Sequence, residues 1–201
     1  LEVIKTFLGW RFILFFLSLP VIGLAGNLTP FANFDGLRYI SIAQEGYGTP
    51  NTFYSYSLFP LYPLLIKFLS PLFGYLYSGL FLSHLFLLLS LIAFYRLARL
   101  DYSKSVAQKA IMLLLCFPAS FFFVSVYSES LFLFLSLTSV YFCRQKKYLF
   151  SVLVAALASY TRAAGMFLWL IILVEYLEEN KGQIKEIFKP KLLLLLIPPL
   201  G

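Results

Sequence analysis

The chain has 201 residues, of which 61% are hydrophobic, 19% aromatic and only 12% charged. A soluble domain of this length cannot bury so much apolar surface, so the composition excludes a soluble enzyme and indicates a protein whose solvent is the bilayer. The net charge of +7 does not indicate nucleic-acid binding, because the basic residues lie in short clusters between apolar runs, as in the cytoplasmic loops of membrane proteins.

Apolar runs that suit membrane spans follow one another along the chain. A spanning helix needs about 20 apolar residues, and the pattern predicts an all-α, polytopic membrane bundle of six to seven transmembrane helices, folded as a single domain over residues 1–201. Because the last run has barely begun where the sequence stops, we expect a truncated chain with further C-terminal helices. The predicted spans are residues 7–26, 76–98, 106–126, 129–143, 148–161 and 163–179, with a seventh that starts at Leu192.

Four basic clusters alternate with these runs, and all of them fall on one side of the membrane if every run crosses once. They hold 13 of the 16 Lys and Arg residues, and an excess of positive charge marks cytoplasmic loops. The N-terminus is therefore predicted to be cytoplasmic, in a multi-pass protein of the plasma membrane of a prokaryote or the endoplasmic reticulum membrane of a eukaryote. The clusters lie at residues 5–11, 96–109, 144–147 and 181–191.

Residues 57–73 are also apolar but are not predicted to cross. A crossing here would move every later basic cluster to the face opposite the first, and three prolines together with Lys67 disfavour a straight span. We therefore expect an interfacial or re-entrant helix, within an external loop over residues 27–75 that carries two short helices.

The other short helix of this loop is predicted over residues 33–47. Asn33 or Asp35 would cap its start, and Gly46 would end it. Asp35 and Arg38 share the polar half of the helix, and the first turn favours an ionised carboxylate. Two interpretations stay open: both side chains face a polar cavity, or Asp35 only caps the helix while Arg38 pairs with it or with a lipid phosphate.

Glu129 and Arg162 are charged residues at the predicted external ends of short spans. The runs 130–143 and 148–161 have 14 residues each, or roughly 21 Å of helix against a hydrocarbon core of about 30 Å. Their outer ends are therefore expected below the external surface, at the floor of an externally open cavity. An acid and a guanidinium there suit a lipid-linked phosphate, although Glu129 could serve only as a helix N-terminal charge and Arg162 could only reach for lipid headgroups.

His84 and several tyrosines are weaker candidates for the same cavity. His84 lies about two turns inside the span 76–98, where it either forms a hydrogen bond within the bundle or lines the cavity. Tyr54, Tyr56 and Tyr62 lie in or near the external loop and could stack on a sugar. Most of the other aromatic residues are interpreted as lipid contacts and interfacial belts.

Three segments carry a resemblance to a known family. FDGLRYISIAQEGY leads to YSLFPLYPLLIKFLSP, and then come PASFFFVSVYSESLF at residues 118–132 and TRAAG at residues 161–165. In this order they resemble the GPI mannosyltransferase II (PIG-V) family of GT-C membrane glycosyltransferases, over about residues 7–180. The resemblance implies a bundle of GT-C type. Phe34 departs from the pattern, since the family usually has Trp before the aspartate.

The resemblance also implies a reaction. Such enzymes transfer a sugar from a dolichyl- or undecaprenyl-phosphate carrier to a hydroxyl of a glycan, glycolipid or protein acceptor. The resemblance implies mannose as the expected sugar. Transfer occurs on the external or lumenal face and inverts the anomeric carbon. The acid of the first external loop is usually assigned as catalytic, and Asp35 occupies that position. Arg38, Glu129, Arg162, His84 and Tyr62 are the expected substrate-binding residues.

Neither a cofactor nor a metal is expected. One histidine and two distant cysteines make no zinc site, and no cluster of acids suggests a tightly held divalent cation. The expected partners are the bilayer, the lipid-linked sugar, the acceptor and, in one interpretation, a membrane partner subunit.

Two other functional classes stay open. A transporter or flippase of lipid-linked sugars would favour polar or broken-helix sites near the midplane and matched halves, whereas the polar residues here lie toward one face. A non-catalytic membrane subunit that holds a partner enzyme is the second alternative.

Overall fold

The computed structural model describes residues 2–53 and 55–179, and over these residues the chain is helical and contains no strand. The predicted all-α membrane bundle is therefore confirmed. The seventh predicted span, from Leu192, and the basic cluster 181–191 lie outside the described residues. The α-helices are α1 (Glu2–Ala25), α2 (Asp35–Glu45), α3 (Leu61–Phe73), α4 (Tyr75–Ala98), α5 (Lys104–Cys116), α6 (Glu129–Arg144), α7 (Tyr148–Ser159) and α8 (Leu168–Glu179), and 3₁₀ turns cover Thr29–Ala32, Pro118–Val124 and Ala163–Phe167.

Two of the described helices, α1 and α4, are long and apolar enough to cross a membrane. Each has 24 residues, or about 36 Å of helix. The predicted straight span 106–126 is wrong as a single helix, because α5 and the turn Pro118–Val124 meet at 86°. Pro118 has no backbone N–H and forces Phe117 into an extended conformation, with ψ at 135°, so the α-helix ends there.

The helices after this bend are shorter than a full span. α6 has 16 residues, and α7 and α8 have 12 each, so all fall below the length of about 20 residues that crosses the hydrocarbon core. The predicted helix 163–179 does not begin at residue 163, because a 3₁₀ turn occupies Ala163–Phe167 first. By length and composition, two helices of the described region span a membrane, or three if the bent pair counts as one span.

The first loop carries two short helices, α2 and α3, as predicted. Gly46 ends α2 with φ at 82°, a left-handed value that suits glycine, and its N–H donates to Ile42 O. The predicted cap by Asn33 or Asp35 is wrong, since Phe34 occupies the cap position and no side chain caps this end. Asn33 instead uses its backbone carbonyl, which accepts the N–H of Gly36 at 3.1 Å.

The central helix α4 packs against α6, α3, α5 and α1, and α6 also packs against α7. The segment that leads into α6 crosses α4 very closely, because a Cβ at Gly79 would lie 2.6 Å from Cγ1 of Val126. The N–H of Val126 then donates to Phe31 O at 2.8 Å. This crossing brings the start of α6 next to the start of α2.

Charged side chains join several helices at the other end of the bundle. Arg144, at the end of α6, forms a bidentate pair with Asp101 at 3.0 and 2.8 Å, and its Nε lies 3.5 Å from Glu175 on α8. Gln108 on α5 donates to Glu2 on α1 at 3.0 Å. The basic clusters 96–109 and 144–147 therefore share one end of the bundle with the start of α1, as the charge pattern predicts.

Candidate active site

A cavity of about 330 Å³ lies where the starts of α2 and α6 meet the end of α7. Four separate stretches of the chain form its walls. It brings three of the predicted site residues together, because the carboxylates of Asp35 and Glu129 and the guanidinium of Arg162 all line it. The other lining residues are Tyr39, Ser57, Leu58, Phe59, Tyr127, Thr161, Ala163 and Ala164.

Glu129 and Arg162 form an ion pair in this cavity. Nη1 of Arg162 lies 2.5 Å from Oε1 of Glu129, and the side chains are 42% and 28% exposed, respectively. The second carboxylate oxygen, Oε2 of Glu129, is buried and has no hydrogen-bond partner within the described residues. A guanidinium carries five N–H donors, so this pair leaves Arg162 with donors for a further ligand.

The backbone after α7 holds Arg162 in position. Arg162 is extended, with φ at −156° and ψ at 145°, and its N–H donates to Ala158 O at 3.1 Å. Gly165 then packs directly on the end of α7, because a Cβ there would lie 2.4 Å from the backbone carbon of Ala158 and the backbone nitrogen of Ser159. The small residues that follow Arg162 thus allow the chain to turn tightly and present the guanidinium to the cavity.

Asp35 lines the cavity from the first turn of α2, where the positive end of the helix dipole favours a carboxylate. Arg38 approaches Asp35 at 3.8 Å, and both side chains are about half exposed, so the pair is weak. Arg38 is not among the residues that line this cavity. Phe34, the residue before Asp35, has φ at 55° and ψ at −118°, a strained backbone of the kind that clusters at functional sites.

Two tyrosines of the cavity wall were not selected from the sequence. The hydroxyl of Tyr39 lies 2.9 Å from Oγ of Ser128, and that of Tyr127 donates to Asn33 O at 2.9 Å. Burial raises the pKa of Tyr39 to about 12, and burial together with the charges of Asp35 and Glu129 raises the pKa of Tyr127. Both phenols are therefore neutral hydrogen-bond donors at physiological pH.

Tyr62 lies beneath the cavity and not in its wall. It is fully buried, its hydroxyl donates to Gly79 O at 3.0 Å, and Oγ of Ser83 lies 2.7 Å away. Its ring meets Tyr39 edge-on, with centroids 5.1 Å apart. In this position Tyr62 supports Tyr39 and presents no free face to a sugar. Tyr54 lies outside the described residues.

His84 lies apart from this cavity, in another of about 250 Å³ that is lined mainly by α1 and α4. Because a carbonyl can only accept, Nδ1–H of His84 donates to Leu80 O at 2.6 Å. The structure thus supports the interpretation that His84 forms a hydrogen bond within the bundle. It does not place His84 with Glu129 and Arg162, as the other interpretation required.

The cavity offers groups for proton transfer and for binding an anion. Two carboxylates are candidate proton acceptors, one guanidinium suits a phosphate, and two neutral phenols add hydrogen-bonding oxygens to the wall. Within residues 2–53 and 55–179, no three His, Cys, Asp or Glu side chains gather closely enough to hold a metal ion. Metal independence stays a prediction.

Comparison with known proteins gives one match. The family model described as mannosyltransferase (PIG-V) matches residues 23–192, a range that contains every residue of the cavity wall. Neither a search of the curated proteins nor a search of the solved structures finds a match.

Proposed function

This chain belongs to the mannosyltransferase (PIG-V) family, and we propose that it is a GT-C type enzyme that transfers mannose from a polyprenyl-phosphate carrier to an acceptor hydroxyl. Family membership identifies a membrane glycosyltransferase. The donor, the stereochemistry and the face of the membrane are parts of the proposal. The observation that carries it is the meeting of Asp35, Glu129 and Arg162 in one cavity.

Arg162 is the proposed contact for the donor phosphate. A planar guanidinium binds phosphate oxygens through two parallel N–H donors, which an ammonium cannot do. Glu129 occupies one of the guanidinium nitrogens and so sets the direction of the others. This arrangement supports a phosphate bound beside the ion pair, with the polyprenyl chain leaving toward the lipid.

Asp35 is the proposed general base. Its carboxylate accepts the proton of the acceptor hydroxyl while that oxygen attacks the anomeric carbon of the donor sugar. The bond between the anomeric carbon and the phosphate oxygen breaks, and the polyprenyl phosphate leaves with the electron pair. Arg162 stabilises the charge that grows on this phosphate. Attack on the side opposite the leaving group inverts the anomeric carbon.

The two neutral phenols suit the remaining contacts. Tyr127 lines the cavity together with Asp35 and Glu129, and the hydroxyl of Tyr39 bonds Ser128 just before α6. Because Tyr127 already donates its O–H to Asn33 O, its phenol oxygen can accept a hydrogen bond from a substrate hydroxyl, and neither phenol adds positive charge. This leaves Arg162 as the cation of the proposed site.

The proposal is tested by transfer from purified full-length protein in lipid nanodiscs. Dolichyl- and undecaprenyl-phosphate mannose serve as donors against a panel of glycolipid and glycan acceptors, and the anomer of the product is read by NMR. We expect transfer with inversion and a loss of about a hundredfold or more in Asp35→Asn, the usual contribution of a general base. Asp101→Asn, at the other end of the bundle, is the matched control.

Three outcomes would each contradict part of this proposal. Full turnover by Asp35→Asn would show that Asp35 is not the general base. Movement of the donor across a proteoliposome membrane without sugar transfer would favour a transporter. A product that retains the donor's anomeric configuration would contradict the single-displacement mechanism.

A further inference from the structure

A third cavity, which we call the aromatic cavity, adjoins the candidate active site. It has a volume of about 450 Å³ and shares Leu58 and Phe59 with the active-site wall. No charged side chain lines it. Its other lining residues are Tyr47, Tyr56, Pro60 and Tyr160.

Hydrogen bonds and one ring stack order the surroundings of the aromatic cavity. The hydroxyl of Tyr47 donates to Leu58 O at 2.6 Å, and the rings of Tyr47 and Tyr56 stack, with centroids 6.1 Å apart and planes 17° from parallel. The carbonyl of Tyr160 accepts the N–H of Leu61 at 3.0 Å. These bonds tie the loop before α3 to the end of α7.

The loop that carries Tyr47 is also ordered by polar contacts. Glu45 accepts hydrogen bonds from Oγ1 of Thr49 at 2.9 Å and from Nδ2 of Asn51 at 3.0 Å. Oγ1 of Thr52 donates to Gly46 O at 2.9 Å. Tyr47 therefore lies on a loop that polar side chains order. The carboxylate of Glu45 is used in this loop and does not face the active site.

We propose that the aromatic cavity is the acceptor subsite and that it binds a neutral pyranose ring. Flat aromatic faces suit the C–H face of a sugar, and the hydroxyl of Tyr56 at the rim can bond the ring's hydroxyls. With no charge in its lining, the cavity offers nothing to the donor phosphate. Leu58 and Phe59 line both cavities, so a ring bound here lies next to the site that holds Asp35. This inference rests on the proposed glycosyl transfer.

The binding test uses saturation-transfer NMR on nanodisc protein, with methyl α-D-mannopyranoside as the probe. We expect signal on the ring protons in the wild type and in Tyr56→Phe, and a loss of about fivefold to tenfold in affinity in Tyr56→Ala. Tyr77→Ala removes an equally exposed tyrosine of α4 and controls for the loss of an interfacial ring. Undiminished binding in Tyr56→Ala, or displacement of the mannoside by geranyl phosphate, would overturn the subsite.

A kinetic measurement separates this inference from the function on which it rests. Where the wild type transfers sugar, Tyr56→Ala should raise the acceptor KM by about fivefold to tenfold, while kcat and the donor KM stay unchanged. A change confined to the donor KM would overturn the inference. If the wild type transfers no sugar but loses mannoside binding in Tyr56→Ala, the transfer reaction is refuted and the sugar site remains.

Discussion

Arg162 donates to Oε1 of Glu129 and leaves Oε2 of the same carboxylate buried, with no hydrogen-bond partner among the described residues. A buried acceptor without a partner costs about 1–3 kcal/mol. A substrate hydroxyl that bonds this oxygen would recover part of that cost. The lone pairs of this oxygen are therefore available to a donor that enters the site.

The guanidinium shape of Arg162 should matter as much as its charge. Arg162→Lys keeps the cation but loses the planar pair of donors, so we expect the donor KM to rise by about tenfold or more. Steady-state kinetics with the lipid-linked donor measures the change. Arg99→Lys is the control, since the Arg99 guanidinium donates to Tyr102 O at 2.6 Å, at the end of the bundle opposite the cavity. Equal donor KM values in the two variants would exclude Arg162 as the phosphate contact.

Gly165 should tolerate no side chain. Gly165→Ala places a Cβ against the backbone of α7 and forces the following turn away, so we expect a loss of about 1–3 kcal/mol in the free energy of unfolding. Gly23→Ala makes the same chemical change in α1, where nothing lies within 4 Å of the new Cβ. Thermal unfolding in nanodiscs compares the two variants. A Gly165→Ala protein as stable as Gly23→Ala would contradict the close packing that positions Arg162.

Tyr62 should affect stability and not substrate affinity. Tyr62→Phe removes a buried hydroxyl and leaves Gly79 O and Ser83 with one partner fewer, so we expect a loss of about 1–3 kcal/mol in stability. Because Tyr62 is fully buried, both KM values should stay within about twofold, the scatter usual for a group without contact to substrate. A large rise in either KM, with stability unchanged, would show that Tyr62 contacts a substrate.

Tyr39 should make stability depend on alkaline pH. Its pKa in the folded state is raised to about 12 from the ordinary value of 10.0, chiefly by burial. The folded protein therefore holds this proton more tightly than the unfolded chain, so the contribution is complete below pH 10 and is lost as the pH rises toward 12. Unfolding midpoints between pH 8 and 12 measure the loss, and Tyr39→Phe should decline less steeply. Equal slopes would contradict the prediction.

Much of the architecture follows from apolar runs and prolines. The short helices α2 and α3, the end of α2 at Gly46, and the meeting of Glu129 with Arg162 were all expected from run lengths and charge placement. The break at Pro118 had a signal in the sequence, since a proline inside a helical run marks a boundary or a kink. The high hydropathy of the run favours one continuous span, but the proline decides where the helix ends.

The rest depends on contacts that a sequence does not display. Tyr39 and Tyr127 are two of 14 tyrosines, and nothing local separates a phenol of the cavity wall from one of an interfacial belt. The rotation of α4 and α3 about their axes decides whether His84 and Tyr62 face the cavity. Tertiary packing sets that rotation. The expected cap at Asn33 is wrong because Phe34 occupies the cap position, and Asn33 accepts hydrogen bonds from Gly36 and Tyr127 through its backbone carbonyl.

The walls of the cavity come from distant parts of the chain, and this has a consequence for how the protein is made. Glu129 leaves the ribosome 33 residues before the Arg162 that neutralises it. The carboxylate therefore has no counter-ion from Arg162 until α7 and the TRAAG turn have been made. Until then only water or another part of the nascent chain can solvate this acid.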